Sequence, residues 1–433
     1  MSTPATLDPQ PPASHDPHSQ LQACQAPQPQ PSRWRVGLKK AASSSWLTSA
    51  LAVVVALVIG AILIAAADSR VQQAAGYLFA RPQDFFGAAW NTVSGAYSSL
   101  FQGAVVNLTS SHSFADVVAP ATKTIAYSVP LIFAGLALGI GFRAGLFNIG
   151  AQGQIILGAT LCGYIGFSWH LPAGVHLVVC LLGAFAGGAA WGFIPGILKA
   201  KTGANEVIVT IMLNSVAVFF LGWLLTLRSF QIPGLSRPIS PRMDTTAGYP
   251  HFFNTSIDLG FLLAIVAAVV VWWLMERTTL GFRIRAVGEN PHAARTAGMN
   301  VSMSYVWVMV ISGGLAGLAA TSQLLSAPSQ QLNVDIASTF GFDAITVALL
   351  GRSKPLGTVL AGLLFGGLRA GGYLMQSATG TPIDIILVLQ SVIVLLIAAP
   401  PLVRSIFRLP DNDRRRRSRS TAHARSLRHE AAT

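Results

Sequence analysis

Charge is scarce in this sequence. Charged residues occupy only 10% of the 433 positions, whereas hydrophobic residues occupy 52% and the mean hydropathy is +0.55. A soluble domain is typically about one quarter charged. So few charges cannot cover the surface of a soluble globular protein of 45.6 kDa, and the high apolar content excludes disorder for the middle of the chain.

Cysteines are few, and the common catalytic motifs are missing. The three cysteines, Cys24, Cys162 and Cys180, are scattered without CxxC or metal-ligand spacing, which excludes a disulfide scaffold. The sequence contains no GxxxxGKS/T, HExxH or GxSxG pattern. The chain therefore lacks a P-loop, and neither a catalytic site nor a metal site is expected in it.

Long apolar runs dominate what is present. A membrane helix needs about 20 mostly apolar residues. Ten segments are candidates, at 46–67, 120–141, 154–168, 175–198, 204–227, 257–275, 303–324, 341–350, 357–376 and 382–402. The third and eighth are short, and the eighth is either a full crossing or a re-entrant, broken segment. We predict an all-α polytopic membrane bundle of about ten transmembrane helices with broken or re-entrant segments.

The basic residues are unevenly distributed between the two sides that ten crossings define. The net charge is +13, and 22 of the 29 lysines and arginines fall in segments assigned to the cytoplasm, against five outside. Lys and Arg are enriched in cytoplasmic segments of membrane proteins. Both termini are therefore predicted to be cytoplasmic.

Three regions follow from these patterns. Residues 1–45 are predicted to be a disordered cytoplasmic tail, 46–403 the transmembrane domain, and 404–433 a disordered, basic cytoplasmic tail. The arginines of the second tail are expected beside anionic membrane lipids. Nucleic acid is not expected as a partner, because no aromatic or folded reader module accompanies the basic run.

Two further patterns concern packing. The outer segment 68–119 contains aromatic and apolar residues that polar residues interrupt, which favours an amphipathic helix at the outer interface. GxxxG patterns begin at Gly183, Gly188 and Gly362, and small residues follow Ser312. Such residues let helix backbones approach closely in lipid.

Polar residues interrupt several apolar segments. Ionisable or amide groups at membrane depth are costly, so they usually face a protein interior or a water-filled path. For each of these residues alone, a hydrogen bond between helices is an equally good interpretation. Together they predict a polar conduit, with Asn148, Gln152, Gln154, Glu206, Asn214 and Asp343 as candidates for the translocation path.

The charged segment 276–302 carries a helix signature. Asn290-Pro291 is a start signal, and Gly298 is a stop signal at which a positive φ costs little. We expect a short helix from Pro291 to Ala297 that presents Ala293 and Ala294 on one side, with Arg295 nearby. The alternative is an ordinary polar loop.

At these residues the sequence resembles the permease subunits of bacterial ABC importers, in the branch for branched-chain amino acids, ribose and nucleosides. The likeness is greatest to simple-sugar and nucleoside permeases. Four stretches carry it, in the family's order: FRAGLFNIGAQGQIILGA, GANEVIVTIMLN, LGFRIRAVGENPHAARTAGMNV and FGFDAITVALLGRSKPLGTVLAGLLFGGLRAGG. The family often has Glu where Gln152 stands.

The resemblance implies a division of labour. This chain forms the path for a nucleoside or simple sugar together with a second permease, favouring a heterodimer over a homodimer. Separate cytoplasmic ATPase subunits bind ATP and Mg, so no cofactor is expected in this chain, and an extracytoplasmic substrate-binding lipoprotein delivers the solute. The segment from Glu289 to Gly298, with Ala293, Ala294 and Arg295, matches the family's coupling helix, which docks on the ATPase.

Two other functions remain open on the residues alone. A self-sufficient secondary transporter requires an ion or proton site, for which Glu206, Asp343 and Asp384 are candidates. An integral-membrane enzyme requires clustered Asp, His or Arg residues at one membrane face, which the sequence does not show. Composition does not distinguish a sugar from a nucleoside substrate.

Overall fold

A computed structural model gives the chain a mostly helical fold. The residues that it describes are 45–107, 114–232, 234, 237–251, 256–326, 331–337, 339–382, 384–399, 402 and 405. The predicted tails, 1–45 and 404–433, lie almost entirely outside the described residues. The fold described below is that of the unit from Ser49 to Val403.

Helices follow one another along the chain, and the longest connection, from α7 to α8, contains a strand. Those of the first half are α1 (Ser45–Ala67), α2 (Ser69–Ala75), α3 (Pro82–Ala104), α4 (Phe114–Arg143), α5 (Ala151–Ser168), α6 (Val175–Thr202) and α7 (Glu206–Leu224). Those of the second half are α8 (Leu259–Arg277), α9 (Thr279–Glu289), α10 (Pro291–Thr296), α11 (Val301–Ala319), α12 (Thr321–Leu324), α13 (Phe340–Leu350), α14 (Pro355–Thr379) and α15 (Asp384–Ala398).

Each of the ten apolar segments predicted from the sequence coincides with a helix. Among the described residues, six helical stretches are long and apolar enough to cross a membrane: α4, α6, α7, α8, α11 continued by α12, and α14. The pair α1 and α2 passes the same test together, although it bends by 78°. The helical membrane bundle is thus confirmed, with six or up to seven spans by length and composition.

The core lies around α4. From Ser128 to Gly141 every residue of this helix is buried, and the helix packs against α8, α11, α13 and α14. A helix that is apolar on all sides is stable only where other helices cover it. This central position explains why α4 combines high hydropathy with deep burial, whereas α7 and α8 leave most of their apolar side chains on the outside of the bundle.

Small residues bring α6 and α11 together, as the GxxxG patterns predict. Gly188 of α6 faces the backbone of α11, and a Cβ atom on it would lie 2.8 Å from the Cα atom of Gly317. Gly192 likewise meets the backbone at Gly313. Close backbone approach of this kind gains dispersion contacts along the whole interface.

The predicted amphipathic helix in 68–119 is only partly correct. Helix α3 exposes Phe86 and Trp90 in its first half, as an interfacial helix does. Its second half instead packs against α14, where Gly371 admits the backbone of Leu100. The hydroxyl of Thr124 also donates to the Ala104 carbonyl at 2.6 Å. The periodicity of segment 68–119 does not predict this contact with α14, because Gly371, which allows it, is distant from α3 in the sequence.

A small sheet joins two segments that are predicted to be outside. Strand β1 (Ile239–Arg242) pairs antiparallel with β2 (Gln331–Asn333), and Ile239 lies opposite Asn333. The pairing ties the segment after α7 to the segment after α12. The segment that follows β1 is held to α6 by buried His176, whose Nδ1 atom lies 2.7 Å from the Thr246 hydroxyl.

The interface between α6 and α11 gives a first prediction. Gly188→Val places a branched side chain against the α11 backbone, and overpacking of this kind typically costs about 1–3 kcal/mol. We expect a lower melting temperature in detergent and less monodisperse protein on gel filtration. Gly222→Val is the matched control, because a Cβ atom at Gly222 of α7 meets nothing within 4 Å. Equal stability of the two variants would contradict the proposed packing.

Candidate functional site

A non-helical segment, 144–150, connects α4 to α5 and alternates between buried residues and the exposed Gly145 and Phe147. Asn148, which is 1% exposed, fixes it. Its Nδ2 atom donates to Gln154 Oε1 at 3.0 Å and to Ser312 Oγ at 2.8 Å, and its Oδ1 atom accepts from the Gly150 N–H at 3.0 Å. Ser312 in turn donates to the Ala137 carbonyl of α4. The amide of Asn148 therefore replaces the hydrogen bonds that a helix would supply.

Asn214 of α7 holds the same segment from the other side. Its Oδ1 atom accepts from the Gly153 N–H, and its Nδ2 atom donates to the Ile149 carbonyl, each at 2.9 Å. Asn214 is 6% exposed and Gln154 is 1% exposed. In this conformation Asn148, Gln154 and Asn214 are thus buried and fully engaged, so the structure places them in helix packing and not on an open surface.

Glu206 lies apart from this network. Its carboxylate pairs with Lys199 Nζ at 2.8 Å, where the end of α6 meets the start of α7. The turn between these helices passes through Gly203, whose φ is +70°. The six path candidates therefore do not converge on one site, and Glu206 marks the predicted cytoplasmic end of two helices.

Gln152 and Asp343 come close together. Gly341, in the first turn of α13, packs directly on the backbone of Gln152, in the first turn of α5. Both Gln152 and Asp343 are partly exposed. Asp343 accepts from Thr339 Oγ1 at 2.8 Å and pairs with Arg369 of α14, with 3.4 Å between Oδ2 and Nη1. Of the six candidates, these two are the partly exposed ones that lie at the contact between α5 and α13.

The short helix predicted in segment 276–302 is present as α10. The Asn290 side chain accepts hydrogen bonds from the backbone N–H groups of His292 and Ala293, both at 3.0 Å, which is an N-cap. At the other end Gly298 has φ +80°, and the Met299 N–H bonds to the Ala294 carbonyl at 3.0 Å. This is a Schellman C-cap, so the predicted start and stop are both confirmed.

The two alanines of α10 do not share one face, which corrects the sequence prediction. Ala293 and Arg295 are exposed, whereas Ala294 is 4% exposed and packs on Val287 and Val301 of its own chain. Successive helix residues are about 100° apart, so a two-residue small patch cannot point wholly outward. Glu289 is exposed and ends a separate helix, α9, which the sequence reasoning did not predict.

Helix α9 is fastened to the bundle by an ion cluster and a close contact. Glu276, at the end of α8, accepts from Arg143 at 2.7 Å and from Arg285 of α9 at 3.0 Å. Gly288 lies directly on the backbone of Arg143 and Ala144, where any Cβ atom would overlap. Helix α9 is thus joined to the end of α4 and to the start of the non-helical segment, and α10 follows α9 directly.

Comparison with known families agrees with this architecture. Residues 121–398 match the family of permease components of branched-chain amino acid transport systems. The chain belongs to this family. It is therefore a permease subunit of an ABC importer, and a multi-pass membrane protein.

Three relatives of this permease are similar over most of their length. Guanosine ABC transporter permease protein NupP of Bacillus subtilis is 36% identical over 291 residues, which are 66% of this chain and 82% of the relative. Glucose ABC transporter permease protein TsgB13 of Haloferax volcanii is 34% identical, over 64% and 75% of the two chains. Nucleoside ABC transporter permease protein NupB of Lactococcus lactis is 33% identical, over 64% and 78%. No solved structure matches this permease significantly.

The structure adds residues that sequence reasoning did not select in this permease. Arg369 is the ion-pair partner of Asp343. Its position inside an apolar segment could have indicated a function, because a charged side chain at membrane depth is costly and usually has a partner. Ser312 was noted only as the start of a run of small residues, although its hydroxyl joins Asn148 to α4. Gly288 carried no signal, since its role depends on a distant backbone.

The network around Asn148 gives a second prediction. Asn148→Leu introduces a side chain of roughly similar size, but it leaves the Gln154 amide and the Ser312 hydroxyl without their hydrogen-bond partner at position 148. Loss of buried hydrogen-bond partners typically costs about 1–3 kcal/mol for each group. We expect a marked loss of thermal stability and of protein yield in membranes. The control is Gln72→Leu. The Gln72 amide is exposed in α2, and among the described residues it bonds only the Ala66 carbonyl. Similar losses of stability in both variants would contradict a structural role for the Asn148 hydrogen bonds.

Proposed function

We propose that this permease forms one half of a nucleoside path across the cytoplasmic membrane, driven by separate ATPase subunits. The observation that carries the proposal is α10, an exposed helix that is capped at both ends and follows α9, the helix that Arg285 and Gly288 fasten to the bundle. A helix of six residues is not stable alone in water, so such precise capping indicates a docking element. Nucleosides are favoured because two of the relatives bear nucleoside names, with simple sugars as the alternative.

The other components follow from this assignment. A second permease completes the path, and a heterodimer is favoured because NupQ of Bacillus subtilis, a second guanosine permease protein, also resembles this chain. Cytoplasmic ATPase subunits bind ATP and Mg, and this chain has no ATPase site of its own. An extracytoplasmic binding lipoprotein supplies the substrate, while membrane lipids surround the bundle.

The proposed topology has ten crossings with both termini in the cytoplasm. Helices α5, α13 and α15 serve as the shorter crossings beside the six membrane-length stretches and α1. The transmembrane domain is 46–403, and 1–45 and 404–433 are cytoplasmic tails. The uneven distribution of basic residues supports this orientation.

Coupling runs from α10 through α9 to the bundle. Closure of the ATPase pair moves α10, and α9 follows because the two helices share Asn290 as boundary and cap. Arg285 and Gly288 then transmit the movement to Glu276, to Arg143 and to the end of α4. Rigid-body movement of packed helices is the usual form of such transitions.

Secondary transport is less well supported by the geometry. An ion-coupled carrier needs a carboxylate that is free to take up a proton or cation within the bundle. Glu206 is occupied by Lys199, and Asp343 is occupied by Arg369 and Thr339. The remaining candidate, Asp384, is exposed at the start of α15.

The topology is testable by labelling in intact cells. With Cys24 replaced by serine, Thr245→Cys is expected to react with a membrane-impermeant maleimide, because it is exposed beside the predicted outer sheet. Thr296→Cys on α10 is exposed as well but is expected to react only after the cells are opened. The reverse pattern would overturn the orientation.

The coupling role is testable by uptake and co-purification. Ala293→Trp adds bulk to the exposed face of α10, so guanosine uptake and association with the ATPase are both expected to fall about tenfold or more, the equivalent of about 1.4 kcal/mol of docking energy. Ala294→Trp is expected to destabilise the permease itself, because its side chain packs on Val287 and Val301.

The control is Ser377→Trp, which is exposed at the opposite end of the bundle and is expected to leave ATPase association unchanged. Normal uptake and association in Ala293→Trp would contradict the docking role of α10. Uptake of glucose or ribose but not of guanosine by the wild-type transporter would contradict the nucleoside assignment.

A further inference from the structure

Three helices, α4, α13 and α14, place an unusual group of side chains together, which we name the tyrosine–arginine cluster. It comprises Tyr127 of α4, Thr339 before α13, Asp343 of α13, and Arg369 and Tyr373 of α14. Arg369 and Tyr373 are one helical turn apart and therefore share a face. The guanidinium carbon of Arg369 also lies 4.5 Å from the centre of the Phe340 ring. The surrounding helices are apolar, so the cluster is a group of polar side chains in an otherwise apolar part of the bundle.

The ion pair of the cluster is loose. Arg369 and Asp343 approach only to 3.4 Å, whereas the pairs Arg143–Glu276 and Lys199–Glu206 have 2.7 Å and 2.8 Å. Charge-assisted hydrogen bonds normally measure about 2.7–2.9 Å. The two side chains are 20% and 19% exposed. Since only Nη1 of Arg369 bonds to described residues, most of its donors are free for another group.

The aromatic pair is open as well. The rings of Tyr127 and Tyr373 stack with 5.6 Å between their centroids and 29° between their planes. Tyr373 is 45% exposed, so one side of the stack is accessible. Within the described residues neither phenol hydroxyl has a hydrogen-bond partner. A pair that served only packing would not leave both hydroxyls unused in an apolar bundle.

We propose that the tyrosine–arginine cluster binds the base of a 6-oxopurine nucleoside during its passage through the permease. The base stacks on the exposed ring of Tyr373 and extends the existing aromatic pair, an interaction available to any base. Arg369 donates to the O6 and N7 acceptors of the base, which is the geometry that arginine forms with guanine. Asp343 orients the guanidinium. This inference rests on the proposed nucleoside transport and assigns it a site.

The chemistry favours a base over a free sugar. A sugar presents hydroxyl groups on all sides and has no extended flat face to continue a ring stack. The cluster instead offers a planar aromatic surface beside a planar fork of donors. Adenosine carries an amino group in place of O6, so it loses one acceptor for Arg369 and is expected to bind less well.

Photolabelling of the assembled transporter in membranes tests the site directly. The probe is 8-azidoguanosine, supplied with the binding protein and ATP. Label is expected on the peptides that carry Tyr127 or Tyr373, and excess guanosine is expected to reduce it more strongly than excess adenosine, with no effect of ribose. Label confined to other parts of the chain, or protection by ribose, would overturn the proposal.

Variants supply an independent test. At guanosine concentrations well below saturation, Tyr373→Leu is expected to lower uptake about tenfold through lost stacking, whereas Tyr373→Phe retains most of it. The double variant Arg369→Gln with Asp343→Asn keeps the pair neutral and is expected to abolish the preference for guanosine over adenosine. Trp273→Leu is the control, an exposed aromatic residue of α8 outside the cluster.

The outcomes separate the two proposals. If the wild-type transporter imports guanosine and all cluster variants do so equally well with unchanged selectivity, the cluster is not the site, while the nucleoside function stands. If the wild type imports no nucleoside, both proposals fall. Co-purification with the ATPase verifies that each variant assembles. Where a variant fails to assemble, the photolabelling of the wild-type transporter alone tests whether the cluster is the binding site.

Discussion

The need to satisfy backbone polar groups away from water governs this structure. Inside an apolar bundle each unpaired N–H or C=O costs several kcal/mol, so a non-helical segment survives only where side chains replace the missing bonds. The segment 144–150 meets this condition through Asn148 and Asn214, which bond its backbone and anchor it to α4 and α7. Because the chain can break there, α5 begins against the start of α13, where Gly341 lies on the backbone of Gln152.

Much of the fold could be predicted because the decisive signals are local. Apolar runs located the helices, and Asn290, Pro291 and Gly298 located the ends of α10, since caps depend on residues only a few positions apart. The glycines of α6 predicted a close helix contact, and it is present. The number of crossings is less firmly determined by sequence, because short and bent helices such as α13 and α1 do not reveal their path from hydropathy alone.

The partners of polar residues were not predictable, because they lie far apart in sequence. Six polar residues were predicted to form a conduit, and in the structure they form three groups. Asn148, Gln154 and Asn214 are buried and hydrogen-bonded around the segment 144–150, Glu206 pairs with Lys199, and Gln152 and Asp343 lie near each other. Ala294 was misplaced for a similar reason, since its burial depends on Val287 and Val301. Polarity in an apolar segment predicts that a residue matters, but only the fold distinguishes holding the backbone from facing a solute.

One helix, α4, connects the proposed coupling helices to the proposed binding site. The end of α4 receives α9 at Arg143 and Ala144, while Ala137, six residues before Arg143, is the acceptor of the Asn148–Ser312 chain of hydrogen bonds. Nearer its start, α4 carries Tyr127 of the tyrosine–arginine cluster. A helix that is buried along most of its length moves as a rigid body, since packed interiors deform little. In the proposed coupling, displacement of α10 would therefore reach Tyr127 through one continuous element, and the stack between Tyr127 and Tyr373 would change when α4 shifts against α14.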